Sequence, residues 1–347
     1  MRIVACTASS VLLALTLSAV AAQQQPPAQP KTAPAQEGQQ TPTATPQTVG
    51  DDSQIVTTIR EVRVPVIVTD KKGQPVTGLR ESDFVVYEDK VQQNFNFLGE
   101  VKELEKLPIY VGVMMDTSAS TSGQLKFEQE AALNFIYTVI RTRKDQVAFV
   151  TFDDEVNLRQ DFTTNLDLLD RAVNAVKKPG THTALYDAVW QFCDEKMRSI
   201  GTGGRRSLVV ITDGDDTYSR ASLRDAIEIA QRTDTVVFCI STKGGFSGSA
   251  VPGVEAGTTR DSGDFDLKKL SEETGGRSFF SGDMLALERA FKKIGDSLRS
   301  QYLITYKPTN DKYDGSYRRI EVKLGSKGDG LRVQAKHGYK ADRDTIR

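Results

Sequence analysis

Four runs of consecutive apolar residues dictate the fold: Ile109-Tyr110-Val111-Gly112-Val113-Met114-Met115, Val147-Ala148-Phe149-Val150, Leu208-Val209-Val210-Ile211 and Val236-Val237-Phe238-Cys239-Ile240. Each has strand length and lacks the polar alternation of a strand wetted on one face, so each reads as a strand covered on both sides. Between and after them apolar residues recur at helical spacing, as at Phe127, Ala131, Phe135 and Ile136. This predicts helices over 125–140, 166–176, 184–197, 222–232, 267–273 and 285–298. Residues 156–162 have strand character and follow 147–152 closely enough to hairpin back beside it. Strands alternating with helices over 107–299 imply an α/β domain, a mostly parallel sheet sandwiched by helices, with any binding site beyond the carboxyl ends of its strands.

Either side of this domain the rhythm becomes that of an all-β structure. Residues 55–59, 63–69, 84–88 and 92–98 are rich in β-branched and aromatic side chains, with turn residues at Asp70-Lys71-Lys72-Gly73, Gly78 and Asp89. Residues 301–306, 317–324 and 331–335 have the same character. Three strands alone are marginal. The expectation is therefore one sandwich-like β domain with halves at 54–104 and 300–340, interrupted by the α/β domain at 107–299.

The N-terminus sets the compartment. Arg2, an apolar centre from Val11 to Leu17 and the small residues Ser18-Ala19-Val20-Ala21-Ala22 form a secretory signal over 1–22, cleaved after Ala21 or Ala22. A secreted or periplasmic location follows, with no stable membrane span after cleavage. Cys6 precedes the apolar centre, which argues against a lipoprotein anchor. Residues 23–53, mostly Gln, Pro, Thr, Ala and Gly, are expected to form a disordered tether. Lys and Arg number 45 against 46 Asp and Glu, so no basic excess invites nucleic acid. Export would permit a disulfide between Cys193 and Cys239, but both occupy apolar positions and read as core thiols. The Gly- and Ser-rich stretch from Thr242 to Asp264 reads as a long loop at the binding edge.

The chemistry lies where the first buried strand ends, in Asp116-Thr117-Ser118-Ala119-Ser120. Alternate side chains on an extended or gently turning backbone share a face, so a carboxylate and two hydroxyls converge. Oxygen-only ligation suits a hard cation such as Mg²⁺. Two further oxygen donors are expected at the same sheet edge: Thr183, at the start of a helix, and Asp213, ending the strand in Thr212-Asp213-Gly214.

With these residues in view, 107–299 resembles the von Willebrand factor A family. The stretch Thr183-Ala184-Leu185-Tyr186-Asp187 is similar to the second motif of its bacterial members. The resemblance implies a Rossmann-like fold and a metal-ion-dependent adhesion site. Asp116, Ser118 and Ser120 would be its first motif, Thr183 its second and Asp213 its third, around Mg²⁺, Mn²⁺ or Ca²⁺. It further implies that the aspartates act largely through water, leaving the cation enough charge to take an Asp or Glu carboxylate from a protein partner. The whole chain, to its closing Gly338-Tyr339, resembles exported proteins of this family known mainly from acidobacterial genomes.

The leading expectation is an adhesive binding module of the cell envelope or exterior and not an enzyme. A structural envelope subunit stiffened by metal is the first alternative. A metal-dependent hydrolase is the second, and lacks an evident general base or a Gly-x4-Gly-Lys-Ser/Thr loop. Asp215 and Asp216 read as solvated loop charge, His182 as a polar loop residue, and His337 as part of the sandwich surface.

Overall fold

The computed structural model describes residues 61–98, 103, 106–121, 125–140, 144–177, 180–201, 203–212, 215–242, 262–280, 284–325 and 328–342. The expected signal, tether and first strand, most of the Gly- and Ser-rich loop, and Asp213 lie outside them.

A six-stranded sheet forms the centre. Its strands are β5 (Ile109–Asp116), β6 (Gln146–Phe152), β7 (Val156–Thr163), β8 (Arg205–Thr212), β9 (Thr235–Ser241) and β10 (Ser278–Phe280), in the order β10-β9-β8-β5-β6-β7. All neighbouring pairs are parallel except β6 with β7, the expected hairpin. The apolar runs are buried because helices cover both faces. On one side lie α1 (Leu125–Val139), α2 (Leu166–Asn174) and α6 (Met284–Arg299), packing Phe135, Leu169 and Phe291 against Val111, Val113 and Val209. On the other lie α3 (Leu185–Phe192), α4 (Leu223–Arg232) and α5 (Ser262–Glu273), packing Val189, Ala230 and Leu270 against Met114, Leu208 and Val237. Each large side chain buried this way contributes roughly 1.5–3 kcal/mol. Gly112 lets α3 approach the sheet: a Cβ there would stand 2.4 Å from the Phe192 ring.

The flanking segments build two four-stranded sheets. One is β13-β1-β11-β4, from β1 (Val62–Thr69), β4 (Phe95–Leu98), β11 (Tyr302–Tyr306) and β13 (Arg332–Ala335). The other is β14-β12-β2-β3, from β2 (Phe84–Glu88), β3 (Val91–Gln93), β12 (Tyr317–Leu324) and β14 (Gly338–Lys340). N-terminal and C-terminal strands interleave, with Val64 opposite Ile304 and Val86 opposite Val322. The two sheets share a core of Val62, Val64, Val66, Phe84, Tyr302 and Ile320. Ile67 of β1 joins the core of the α/β domain instead, so this strand is covered on both faces.

At the centre of the sandwich a charged residue is fully satisfied. Glu88 Oε2 accepts the Tyr306 and Tyr339 hydroxyls at 2.7 and 2.9 Å, and Oε1 accepts Arg318 Nη1 at 3.3 Å.

The structure revises several expectations. The expected strand 92–98 divides, its first part hairpinned to β2 and its second part paired with β11 in the other sheet. The hairpin turn carries Asp89 and Lys90 at φ 48° and 70°, the twist a two-residue loop needs. β10 and β14 are additional strands of three residues each. The helix expected at 184–197 ends in a π-helical turn, Cys193–Met197. His337 lies on the exposed surface of the sandwich, as expected, and there pairs with Glu273 of α5 at 3.3 Å. Cys193 and Cys239 are free and buried.

One guanidinium holds the base of the α/β domain. Arg205 donates from Nη1 to the Leu298 carbonyl at 2.9 Å and from Nη2 to the Leu107 carbonyl at 3.2 Å. Burial pulls its pKa down to about 10. Beside it Arg299 donates to Asp145 at 3.1 Å.

Candidate functional site

The parallel strands β5, β6, β8 and β9 end together, and the residues just past their ends define the site. Asp116 closes β5 with its side chain fully buried. A buried carboxylate demands partners. Oδ1 accepts the Ser118 N–H at 2.8 Å, and Oδ2 accepts the Thr212 hydroxyl of β8 at 2.6 Å. The first bond folds the chain into an Asx-type turn, followed by a 3-10 turn at Ala119–Thr121. The Ser118 and Ser120 Oγ atoms then lie 3.0 Å apart, Ser118 buried and Ser120 exposed. The two serine hydroxyls are brought together and the Asp116 carboxylate binds the Ser118 amide, through tight turns in place of the extended or gently turning backbone that was expected.

Thr183 sits in the adjoining loop, 3% exposed. Its N–H donates to Thr217 Oγ1 at 3.0 Å, and its carbonyl accepts the N–H groups of Thr217 and Tyr218 at 2.9 and 3.1 Å. The neighbouring Ala184 N–H donates to the Asp153 carbonyl at 2.9 Å. Thr117 completes the joint. Its hydroxyl donates to Asp153 Oδ2 at 2.8 Å, and its carbonyl accepts the Gly180 N–H at 2.7 Å. Gly180 permits this crossing, since a Cβ there would stand 2.4 Å from that of Asp153.

The stretch 183–187 is bolted to the loop that follows Asp213. Asp216 Oδ1 accepts the Tyr186 N–H at 3.3 Å and the Ser219 hydroxyl at 2.6 Å. Asp187 accepts the N–H groups of Arg220 and Ala221. Asp216 is thus a structural acceptor, which corrects its reading as solvated loop charge. The Tyr186 hydroxyl donates to Asp266 at 2.7 Å, and burial followed by that carboxylate raises its pKa, keeping it a donor.

His182 and Asp154 form a second tier at the rim. Asp154 accepts the N–H groups of Thr181 and His182 at 2.7 and 3.1 Å, and its Oδ1 bonds the His182 ring at Nδ1. The Thr181 bond, with the His182 side chain next, holds the Asp154 carboxyl below the usual carboxylate range. The His182 ring stacks on Tyr218 with centroids 4.7 Å apart. Sequence reasoning passed over Thr212, Asp153, Asp154, Gly180 and Tyr218. Each matters through a partner distant in the chain, and none carries a local signal.

The arrangement offers oxygen and nothing softer. A fully buried carboxylate and two hydroxyls in contact, with a further hydroxyl residue in the adjoining loop, have the donor chemistry of a hard divalent cation. Among the described residues no group of three or more His, Cys, Asp and Glu side chains is placed to hold a metal.

The family model described as von Willebrand factor type A domain matches residues 111–293. Among solved structures, conserved hypothetical protein BatB from Bacteroides thetaiotaomicron is 18% identical, over 55% of this chain and 98% of its own, with a TM-score of 0.41. The vWF domain of the type V pili tip protein Mfa5 from Porphyromonas gingivalis is 14% identical, over 56% of this chain and 95% of its own, with a TM-score of 0.42. The PilB minor pilin from Streptococcus sanguinis is 14% identical, over 56% of this chain and 62% of its own, with a TM-score of 0.42. No curated protein matches the chain.

Proposed function

The chain belongs to the von Willebrand factor type A domain family, and from that premise we propose that it is an exported adhesive module that grips a protein partner's carboxylate through a divalent cation. The observation that carries this reading is the pair of Ser118 and Ser120 hydroxyls, 3.0 Å apart, beside the buried carboxylate of Asp116. Asp116, Ser118, Ser120, Thr183 and Asp213 would hold Mg²⁺, Mn²⁺ or Ca²⁺. Neutral hydroxyls leave such an ion strongly electrophilic, which is the chemistry it supplies toward an Asp or Glu of the partner.

The protein's own share is rigidity. Thr212 and the Ser118 amide fix the Asp116 carboxylate, while Asp153, Asp216 and Thr217 fix the loop that carries Thr183. Exposed His182 and Tyr218, stacked at the rim, supply a contact surface for whatever approaches. Among the described residues no helix is long and apolar enough to cross a membrane. A secreted or periplasmic location is part of the proposal.

Calorimetric titration of MgCl₂ into the wild-type chain and into Ser118→Ala tests it, followed by titration of a Glu-bearing peptide with Mg²⁺ or with EDTA. Uptake of metal by the wild type alone, and peptide binding that EDTA abolishes, support the reading. Absence of metal uptake by the wild type refutes it. If Ser118→Ala lowers the melting temperature in Mg²⁺ while peptide binding survives, the metal is structural. Turnover by the purified protein would instead favour a hydrolase.

A further inference from the structure

Among the described residues two sheet edges lie unpaired beside each other, joined at one end by the antiparallel bridge of Thr274 with Lys336, and a groove of about 870 Å³ runs between them. β10 is the outer strand of the central sheet and β13 the outer strand of one sandwich sheet. Both line the groove along their length, and α6 contributes the third wall through Arg289 and Lys293. Edge strands carry backbone N–H and C=O groups without a neighbouring strand, which proteins ordinarily blunt or cover.

The charge of the groove is one-sided. Arg277, Arg289, Lys293 and Arg332 line it, and none has an ion-pair partner among the described residues. Glu272, the only carboxylate among the described lining residues, is paired with Lys268 at 4.0 Å. Burial, then the neighbouring Arg332 charge, pulls the Arg277 guanidinium below its ordinary pKa. Arg277 is also held in place: it lies over the Phe279 ring, 5.8 Å from its centroid, and against Gly73, where a Cβ would stand 2.9 Å from Nη1. A chain of net charge −1 has no global reason to gather in one channel four cations that lack an ion-pair partner among the described residues. Their mutual repulsion is unfavourable until an anion enters.

We propose that this groove binds an extended acidic peptide of a partner protein, lying between the two open edges as an added strand with its carboxylates against the guanidinium groups. Strand addition uses the backbone groups of the edge, and planar guanidinium groups take carboxylates bidentately. The volume and the spread of charge over two strands and a helix exceed what one small anion needs. A long nucleic acid is disfavoured because the surface beyond the groove carries no net positive charge. This site is separate from the one built around Asp116, and its occupancy requires no metal.

Fluorescence anisotropy of a labelled peptide of alternating Glu and Val, titrated with the full chain in EDTA, tests the proposal while keeping metal-dependent carboxylate binding out of the readout. Saturable binding that weakens with added NaCl is expected. The Arg277→Glu/Arg332→Glu and Arg289→Glu/Lys293→Glu variants should each weaken it by about tenfold or more, with Lys144→Glu as the unchanged control. N-methylation of alternate peptide amides should weaken it comparably, since it removes the ladder. The exposed Arg332→Gln serves if a double variant fails to fold. No saturation at about 1 mM chain overturns the proposal. Binding unaffected by N-methylation, or heparin or single-stranded DNA binding more tightly than the peptide, also overturns it, leaving a patch for general polyanions.

Discussion

At the scale of single residues, the structure separates groups that organise from groups that are available. Glu88 organises the sandwich: its carboxylate is buried and fully occupied by Tyr306, Tyr339 and Arg318. Glu88→Ala strands two hydroxyls in the core and leaves buried Arg318 with backbone carbonyls and the more distant Asp314 as its remaining partners. We expect a loss of about 3–5 kcal/mol, read from the urea midpoint, with Glu88→Gln milder because it keeps an acceptor. The cysteines are inert in the fold. Burial pushes the Cys193 thiol up to about 12, and Cys239 is raised further by the same cause. Ellman's reagent should therefore react with both only after unfolding; rapid reaction of the native protein would contradict their burial. The nearness of Ser118 to Ser120 was open to reading from sequence because they are alternate residues just past Asp116, the last residue of a buried strand. Thr212, Asp153 and Gly180 were not, since their contacts close only when distant strands align.

At the scale of elements, helix α4 has the most explicit start. Ser222 accepts the Asp225 N–H, while the Asp225 side chain accepts from the Ser222 N–H and hydroxyl, a reciprocal cap. Ser222→Ala should cost about 1 kcal/mol. The same bonds lower the Asp225 pKa. A carboxylate with a depressed folded pKa stabilises the fold above its unfolded value, about 3.9, and that stability is lost as pH falls through the folded one. The wild-type advantage over Ser222→Ala in melting temperature should therefore be larger at pH 7 than at about pH 3. Long elements were legible because their hydrophobic period repeats several times. β10 and β14, three residues each, contain too little period to read and exist because Cys239–Ser241 and Tyr317–Arg319 offer them edges. The break between β3 and β4 was hidden for a related reason. Both pieces have strand composition, and only the pairing assigns them to different sheets.

At the scale of the whole molecule, the strands before and after the α/β domain depend on each other. β11 lies between β1 and β4, and β12 between β2 and β14. Truncation after Arg299 would remove β11 to β14 and uncover Val64, Val66 and Phe84. We expect aggregation on size-exclusion chromatography, and no release of the C-terminal strands as an independently folded fragment on limited proteolysis. The inadequacy of three strands alone made this pairing readable, although the register could only come from the structure. The α/β domain leaves and rejoins the sandwich at neighbouring points, because the carbonyls of Leu107 and Leu298 are gripped by the same Arg205 side chain. The chain ends of the domain are therefore close enough for a few residues to join, but its removal would also uncover Ile67 and leave Lys336 and Asp342 without Asp234 and Arg232. Any domain grafted in its stead would have to cover that face of the sandwich as well as match the spacing of the ends.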